Sequence, residues 1–517
     1  MTRVYKLFIL TLFSTISSFA QQWPKCIMRG DYADPSIMCE GRDFYMTHSA
    51  FNYNPGFLIW HSRDLVNWKP VTRVITQRVV IDAWAPDLLK HNGKYYLYYP
   101  WNDRTWVCIA DKIEGPWSPP IEVKGSQGID PGHVVTQDGM RYLWVNNGNM
   151  APLDDKGTAC LAPFRSVYHG WDIPKDWVTE GKWPEKYLES PKLTWHDGYY
   201  YLTCAEGGTA GPATSHMCVM ARSRSMEGPW ENSPYNPVIH TWSEAETWWS
   251  QGHGTLIDDA DGQWWMVYHS YAKDLHSLGR MTLLMPMEWT SDGWCRASYD
   301  AKLPGDAAPN SAHGNNAFFT GKGSWLSDDF TSKKLGLQWS FYQENAIDAI
   351  TLGGGRLVMY GKGDGPSDAR YLLVTAEDPA YEVSCELTVG DTPAGLMLYY
   401  NKDHFCGVTV DRDRIYFYEH NHPTQVLDNK FGARVVLRLR NVRNKFTADI
   451  ASNQASLRRG KGVQNLCSDI DISDMNHNRL GAFLALRPGL MVQGGGKAEF
   501  RHFSYNVLDV NWAPRAR

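Results

Sequence analysis

Asp34, Asp87, Asp130, Glu189 and His253 recur at one place in a fivefold pattern. Each lies in a short apolar piece: ADPSI, WAPDLL, IDPGHV, LESPKL and GHGTLI. A tight turn and an aromatic strand follow each piece, in CEGRDFYMTH, HNGKYYLYY, QDGMRYLWV, HDGYYYLTC and ADGQWWMVY. The turn glycines are Gly41, Gly93, Gly139, Gly198 and Gly262, at intervals of 52, 46, 59 and 64 residues. Each polar residue precedes its glycine by six to nine positions. Equivalent points of a repeat become equivalent points of a fold, so these five side chains are expected to meet. Four carboxylates meeting in this way suit acid–base chemistry. One, kept ionised, activates a water; another, kept protonated, gives its proton to a leaving oxygen. Acids on separate repeats leave room for that water, whereas two acids side by side on one strand do not. An aspartate before proline ordinarily caps a turn, but a cap does not explain the fivefold recurrence.

The elements that must position these residues are hairpins, and hairpins repeated at this interval indicate a β-propeller of five blades. Further strands lie between the repeats. FLIWHSRDLVNW (57–68) reads as strand, turn and tryptophan. VCIADKIEGPW (107–117) and VMARSRSMEGPW (219–230) are a second, independent repeat that ends in Gly-Pro-Trp, with the tryptophan expected to pack on a neighbouring blade. Residues 304–324 are rich in Gly, Ala and Asn and read as a linker. Beyond Trp325 come short β runs without helical periodicity, which suggest a β-sandwich. KAEFRHFSYNVL (497–508) reads as its last edge strand. The expected fold is all-β: a signal peptide at 1–20, a five-bladed propeller at 21–305, a linker at 306–324 and a sandwich at 325–517.

Length and composition narrow the function. A chain of 517 residues exceeds one hydrophobic core. Net charge is −5 and no basic stripe occurs, which argues against nucleic acid as partner. The 23 tryptophans and 27 tyrosines suit blade packing, and exposed ones suit sugar stacking. Arg3 and Lys6, the apolar run Leu7–Phe13 and Ser18-Phe19-Ala20 form an export signal cut after Ala20, so the protein is expected to be periplasmic or extracellular. That run is too short to span a bilayer, and no later stretch reaches 18 apolar residues. The ten cysteines contain no CxxC pair, so structural zinc is not expected. An oxidising compartment would allow one or two disulfides, with the pairing open.

The motifs resemble glycoside hydrolase family 43, inverting exported enzymes that act on arabinose- and xylose-containing plant polysaccharides. Asp34-Pro35-Ser36-Ile37 resembles the family's general-base motif. Ile129-Asp130-Pro131 resembles the third carboxylate, which raises the pKa of the acid and orients it. Leu188-Glu189-Ser190-Pro191 resembles the general-acid motif, with Ser190 where glycine is usual. His61-Ser62-Arg63-Asp64-Leu65, Ala205-Glu206-Gly207-Gly208, Gly252-His253-Gly254 and Gly279-Arg280 resemble the xylosidase/arabinofuranosidase branch. Asp328-Asp329-Phe330 and Leu337-Gln338-Trp339 resemble the start of that branch's concanavalin-like sandwich. The resemblance covers nearly the whole mature chain. It implies Asp34 as base, Glu189 as acid and Asp130 as modulator of the acid's pKa.

Other residues carry secondary expectations. Phe51, in the loop Ser49–Gly56, and Trp84 resemble platforms for the terminal sugar. Asp87 either faces the axis or braces a blade turn. His253 is expected at the axis, bracing the carboxylates or holding a cation or water. Arg280 is expected to reach a sugar hydroxyl or the Glu189 carboxylate. The chemistry requires no cofactor, and a structural calcium in the channel is the one ion considered. The resulting expectation is an exo-acting hydrolase removing a terminal pentose, α-L-arabinofuranosidase before β-D-xylosidase. A carbohydrate-binding propeller without catalysis would lack one of the acids. A retaining fructan hydrolase would carry Asn-Asp-Pro-Asn and Glu-Cys motifs, which are absent. Oligomeric state is left open.

Overall fold

The computed structural model describes residues 23–177, 186–299 and 325–508. The expected signal peptide and linker lie outside the described residues. Five antiparallel sheets follow one another as blades. Blade I comprises Ser36–Glu40, Asp43–Thr47, Gly56–Ser62 and Lys69–Ile75. Blade II comprises Asp87–His91, Lys94–Trp101, Arg104–Ala110 and Ile121–Glu122. Blade III comprises Gly132–Val135, Arg141–Val145, Asn149–Leu153 and Arg165–Ser166. Blade IV comprises Glu189–His196, Tyr199–Glu206, Met217–Ser223 and Glu231–Asn232, with Ile239–His240 also paired to its third strand. Blade V comprises Trp248–Asp258, Trp264–Ala272 and Arg280–Trp289. The first strands of successive blades touch all the way round, including blade V on blade I. Closure comes from the N-terminal strand Lys25–Met28, which pairs with Arg280–Trp289. Cys295–Ala297 pairs with the other end of that strand.

The repeat seen in the sequence is a backbone requirement. Gly41, Gly93, Gly139, Gly198 and Gly262 all turn the first hairpin of a blade at φ between 64° and 85°. A side chain at four of them would meet nothing within 4 Å, so the demand is the left-handed angle and not space. The strands that follow are aromatic because both faces are covered: Tyr95, Tyr96, Leu97, Tyr98 and Tyr99 are all buried between blades. The two Gly-Pro-Trp tryptophans pack as expected. Trp117 is buried in the core shared by blades I and II, and Trp230 of blade IV meets Trp144 of blade III edge-on.

The C-terminal part is a sandwich of an eight-stranded and a seven-stranded sheet among the described residues. Asp328 accepts from the Trp339 indole at 2.8 Å, and that ring packs on Phe330 and Phe503. Two sequence expectations change. Lys497–Val507 is an inner strand, paired with Leu357–Tyr360 on one side and Ala380–Thr388 on the other, and its Phe500, Phe503 and Tyr505 enter the core. Part of the expected loop Ser49–Gly56 is also a strand, since Tyr53–Asn54 joins the sandwich sheet beside Ser340–Tyr342. All ten cysteines are free thiols, so the one or two disulfides that an oxidising compartment would allow are not formed; six of the cysteines are buried as small hydrophobes.

That shared strand fixes the sandwich against the propeller. Arg487 of the sandwich pairs with Asp31 at 3.4 Å and lies 3.4 Å over the Tyr53 ring. Arg29 pairs with Asp378 at 3.0 Å, and the Tyr32 hydroxyl donates to Glu377 at 2.8 Å. The first strand of each blade begins, and the second ends, at one face of the wheel. The loops joining second to third strands, and blade to blade, therefore lie on that face.

Candidate active site

Asp34, Asp130 and Glu189 stand at the start of the first strands of blades I, III and IV, and His253 lies within the first strand of blade V. All of them line one cavity of about 260 Å³, with Phe51, Trp84, Arg280 and Phe483 among its other walls. The turns that aim them are strained: Asp34, Asp130, Ser190 and His253 have φ of 57°, 55°, 56° and 57°. Side chains other than glycine avoid that region unless the surroundings hold them there.

Asp34 is buried and held from several sides. Arg280 grips it through two nitrogens, Nη1 to Oδ1 at 2.9 Å and Nη2 to Oδ2 at 3.3 Å. Ser49 Oγ donates to Oδ2 at 2.5 Å and accepts from the Ala85 N–H at 2.7 Å. His269 Nδ1 lies 3.0 Å from Oδ1 and accepts from the Asp34 N–H at 3.1 Å. Burial raises the pKa of this carboxyl, yet the Arg280 charge and the two nearby imidazoles outweigh it and hold it well below the usual range. Asp34 is therefore ionised throughout the neutral range.

The opposite holds across the cavity. Asp130 accepts from the Ser190 N–H at 3.2 Å. Burial, and then the charge of Asp34, push it up to about 7, against the pull of Lys192 and that N–H. Glu189 is raised well above its ordinary value, by burial first, then by the charge of Asp130 and then by that of Asp34. Oxygens of Asp130 and Glu189 lie within 4.8 Å of each other and of a ring nitrogen of His253. Asp130 has a backbone donor, and Glu189 accepts no hydrogen bond from the described residues. In the pair, Glu189 is thus the last to lose its proton.

The imidazoles are neutral. Burial lowers His253 to about 3, and its Nδ1 lies 3.5 Å from Asp34 and 3.9 Å from Asp130. Its Nε2 is buried without a partner among the described residues. The set Asp34, His253 and His269 also brings donor atoms within 4.8 Å. A calcium ion takes six to eight oxygens. Here two of the three groups offer nitrogen, and the Asp34 oxygens are already engaged by Arg280 and Ser49. This donor set does not suit calcium.

Three of the remaining sequence expectations take definite places. Asp87 does not line the cavity. It is buried beneath it, bonded by Lys192 at 2.9 Å, the His133 N–H at 2.7 Å and Ser36 at 3.4 Å, and so it ties blades I to IV together. Arg280 serves Asp34 and not Glu189 as its hydrogen-bonded partner. Phe51 and Trp84 do line the cavity, with Phe51 2% exposed. Sequence reasoning missed His269, Lys192, Tyr187 and Phe483. Lys192 left a signal, a cation three residues after the acid motif on the same first strand. His269 in a buried strand and Phe483, from the sandwich, left none.

Known proteins share this plan. Residues 24–295 match the family model for glycosyl hydrolases family 43. Residues 327–506 match that for the beta xylosidase C-terminal concanavalin A-like domain. A non-reducing end alpha-L-arabinofuranosidase of Bacteroides ovatus is 26% identical over 532 aligned positions, covering 93% of this chain and 94% of its own. A xylosidase/arabinosidase of Humicola insolens is 28% identical over 431 positions, covering 74% of this chain and 76% of its own. The crystal structure of a xylan beta-1,4-xylosidase from Bacillus halodurans matches with a TM-score of 0.79 at 25% identity, covering 93% of this chain and 99% of that one.

Two outcomes follow from the site's geometry. In Asp130→Asn one like charge beside Glu189 is gone, so the Glu189 pKa falls. Carboxyl carbon NMR of glutamate-labelled protein reads this directly, and an unmoved Glu189 signal would mean that Asp130 only orients the turn. In Ser190→Gly a strained residue becomes unstrained, and a buried hydroxyl without a partner disappears. Relief of both, less the added freedom of the unfolded chain, stabilises by about 1 kcal/mol. Urea denaturation should show a higher midpoint at unchanged slope.

Proposed function

The chain belongs to glycosyl hydrolases family 43, and on that premise we propose an exo-acting, inverting hydrolase that removes terminal non-reducing pentose units. We assign α-L-arabinofuranoside as the preferred substrate, from side chains or oligosaccharides of plant cell-wall polysaccharide, and β-D-xyloside as the second. One observation carries the reading. Two carboxyls facing one cavity have their pKa values driven in opposite directions, Asp34 down and Glu189 up. An inverting hydrolase needs that pair, one base and one acid, each ready in the neutral range.

The roles follow from the side chains. The terminal pentose fills the cavity, whose volume of about 260 Å³ lies under the range of roughly 300–1,000 Å³ common for larger ligands. One ring fits and a chain does not. Asp34 takes a proton from water while that water's oxygen forms a bond to the anomeric carbon. The bond from that carbon to the leaving oxygen breaks as Glu189 gives its proton to that oxygen. Asp130 keeps Glu189 protonated until this moment. Arg280, Ser49 and His269 fix Asp34 for attack from one side. The product then has the opposite anomeric configuration. These groups complete the chemistry without a cofactor. We also place the protein outside the cytoplasm, on the strength of the export signal in residues 1–20.

Purified protein on a panel of 4-nitrophenyl pentosides and hexosides tests the assignment. Release from α-L-arabinofuranoside should exceed that from β-D-xyloside, and hexosides should be inert. Proton NMR of a natural substrate should reveal the inverted sugar first, whereas a retained anomer would overturn the mechanism. A protein that binds pentosides and cleaves none would be a lectin.

The acid and the base should separate by leaving group. Asp34→Ala should lose activity on every substrate. Glu189→Ala should lose it on natural glycosides, by about 10²–10⁴, and keep far more on aryl glycosides, whose leaving group needs little protonation. Equal losses on both substrate classes would remove Glu189 from the role of acid.

A further inference from the structure

A second aromatic group lies on the same face of the wheel, outside the cavity and beside blade IV. Trp171 and Trp177 come from the segment joining blade III to blade IV, and Trp242 from the segment leading into blade V. The Trp177 and His240 rings stack at 5.2 Å with 6° between their planes. Trp242 meets Trp177 edge-on at 5.4 Å and His240 at 4.8 Å, and Trp171 meets Trp177 at 5.9 Å. Trp242 is 62% exposed, and among the described residues neither it nor Trp177 packs into a hydrophobic core. Blade packing, which accounts for most rings in this chain, does not account for these.

The group is continuous with the cavity. Gly208, Thr209 and Ala210 line the cavity, and a few residues further along the same loop the Thr214 carbonyl accepts from His240 Nε2 at 3.0 Å. The Trp171 N–H donates to Glu206 at 2.6 Å, at the other end of that loop. Tyr187, a 48% exposed wall residue of the cavity, stands on the same side. The direction is set by the chemistry. A leaving oxygen must rest against the acid, and Glu189 opens the first strand of blade IV. The rest of the substrate therefore leaves the cavity across blade IV, where these rings lie. Sugar rings are uncharged and have apolar faces that stack flat on indoles.

Resting on the reading of the cavity as a pentosidase site, we propose that Trp177, His240 and Trp242 form a platform for the pentose units of the leaving chain. The cavity selects the terminal sugar, and the platform selects a chain over a small aglycone.

The test compares two substrates in the full-length protein: the best 4-nitrophenyl pentoside and the matching four-unit pentose oligosaccharide. In Trp242→Ala the ratio of kcat/KM, oligosaccharide over aryl glycoside, should fall about tenfold, as expected for loss of one stacked ring. The fall should lie in KM. Trp242→Phe keeps a stacking face and should restore most of the ratio. An unchanged ratio overturns the platform and leaves the pentosidase intact. Sedimentation velocity covers the other occupant: if the wild type self-associates and Trp242→Ala only dissociates it, the rings are a contact between copies and the platform fails. A wild type that cleaves no pentoside overturns the underlying reading, and the platform with it.

Discussion

The site depends on one buried pair, Arg280 with Asp34. Both are almost wholly removed from water, so neither charge is tolerable without the other. Together they keep one carboxylate ionised in a cavity where Asp130, Glu189 and His253 are pushed towards their neutral forms. His253, His269 and His216 are all driven down by burial, and Asp130 and Glu189 are driven up. The negative charge of Asp34 is then felt across a buried site, where screening is weaker than in bulk water. It is a cause of the raised pKa of both other carboxyls. The base thus adds to burial in keeping the acid protonated, while the Arg280 charge pulls both of the other carboxyls the opposite way.

A second buried pair does the same work lower down. Lys192 with Asp87 brings a cation under Asp130, and Lys192 also donates to the carbonyls of Pro86 and Pro131. Its charge limits how far Asp130 rises. Without it, burial and Asp34 would act on Asp130 unopposed, and the pair with Glu189 would hold its protons differently. Asp87 is the fourth carboxylate of the repeat, yet its role is to neutralise Lys192 and to join blades I, II, III and IV. Equivalent positions in a repeat share a place in the fold but not a task.

What could be read in the sequence was what obeys local rules. The five hairpin glycines need a positive φ whatever surrounds them, so they marked the blades. The acids needed only the recurrence to be brought to one axis. Partners chosen by tertiary packing were not legible. Nothing in Gly279-Arg280 says that the guanidinium turns to Asp34 and not to Glu189. Phe483 reaches the cavity from a domain whose placement depends on a strand, Tyr53–Asn54, that looked like loop. The misread strand Lys497–Val507 fails for a related reason: alternation tells which face is buried, but not whether both edges are paired.

The same placement explains how strained turns persist at the centre of the wheel. Residues other than glycine hold left-handed angles around the cavity, Asp34, Phe51, Asp130, Tyr187, Ser190 and His253 among them, each at a cost of order 1–3 kcal/mol. Such angles last only where neighbours leave no alternative. Asp31 provides one such constraint. Its carboxylate lies where a side chain on Gly279 would have to go, at 2.5 Å, so the residue before Arg280 must be glycine. The Arg280 carbonyl accepts the Tyr32 N–H at 2.9 Å, two residues from Asp34. Asp31 is in turn held by Arg487 of the sandwich, and Gly30 packs against the Ala376 carbonyl so closely that a Cβ would sit 2.5 Å from it. The path from sandwich to base is therefore short: Arg487, Asp31, Gly279, Arg280, Asp34. The closing strand Lys25–Met28 leads straight into it. The second domain acts on the chemistry by fixing the ends of this path, in addition to supplying Phe483 as a wall, and its removal would free the turn that holds the base.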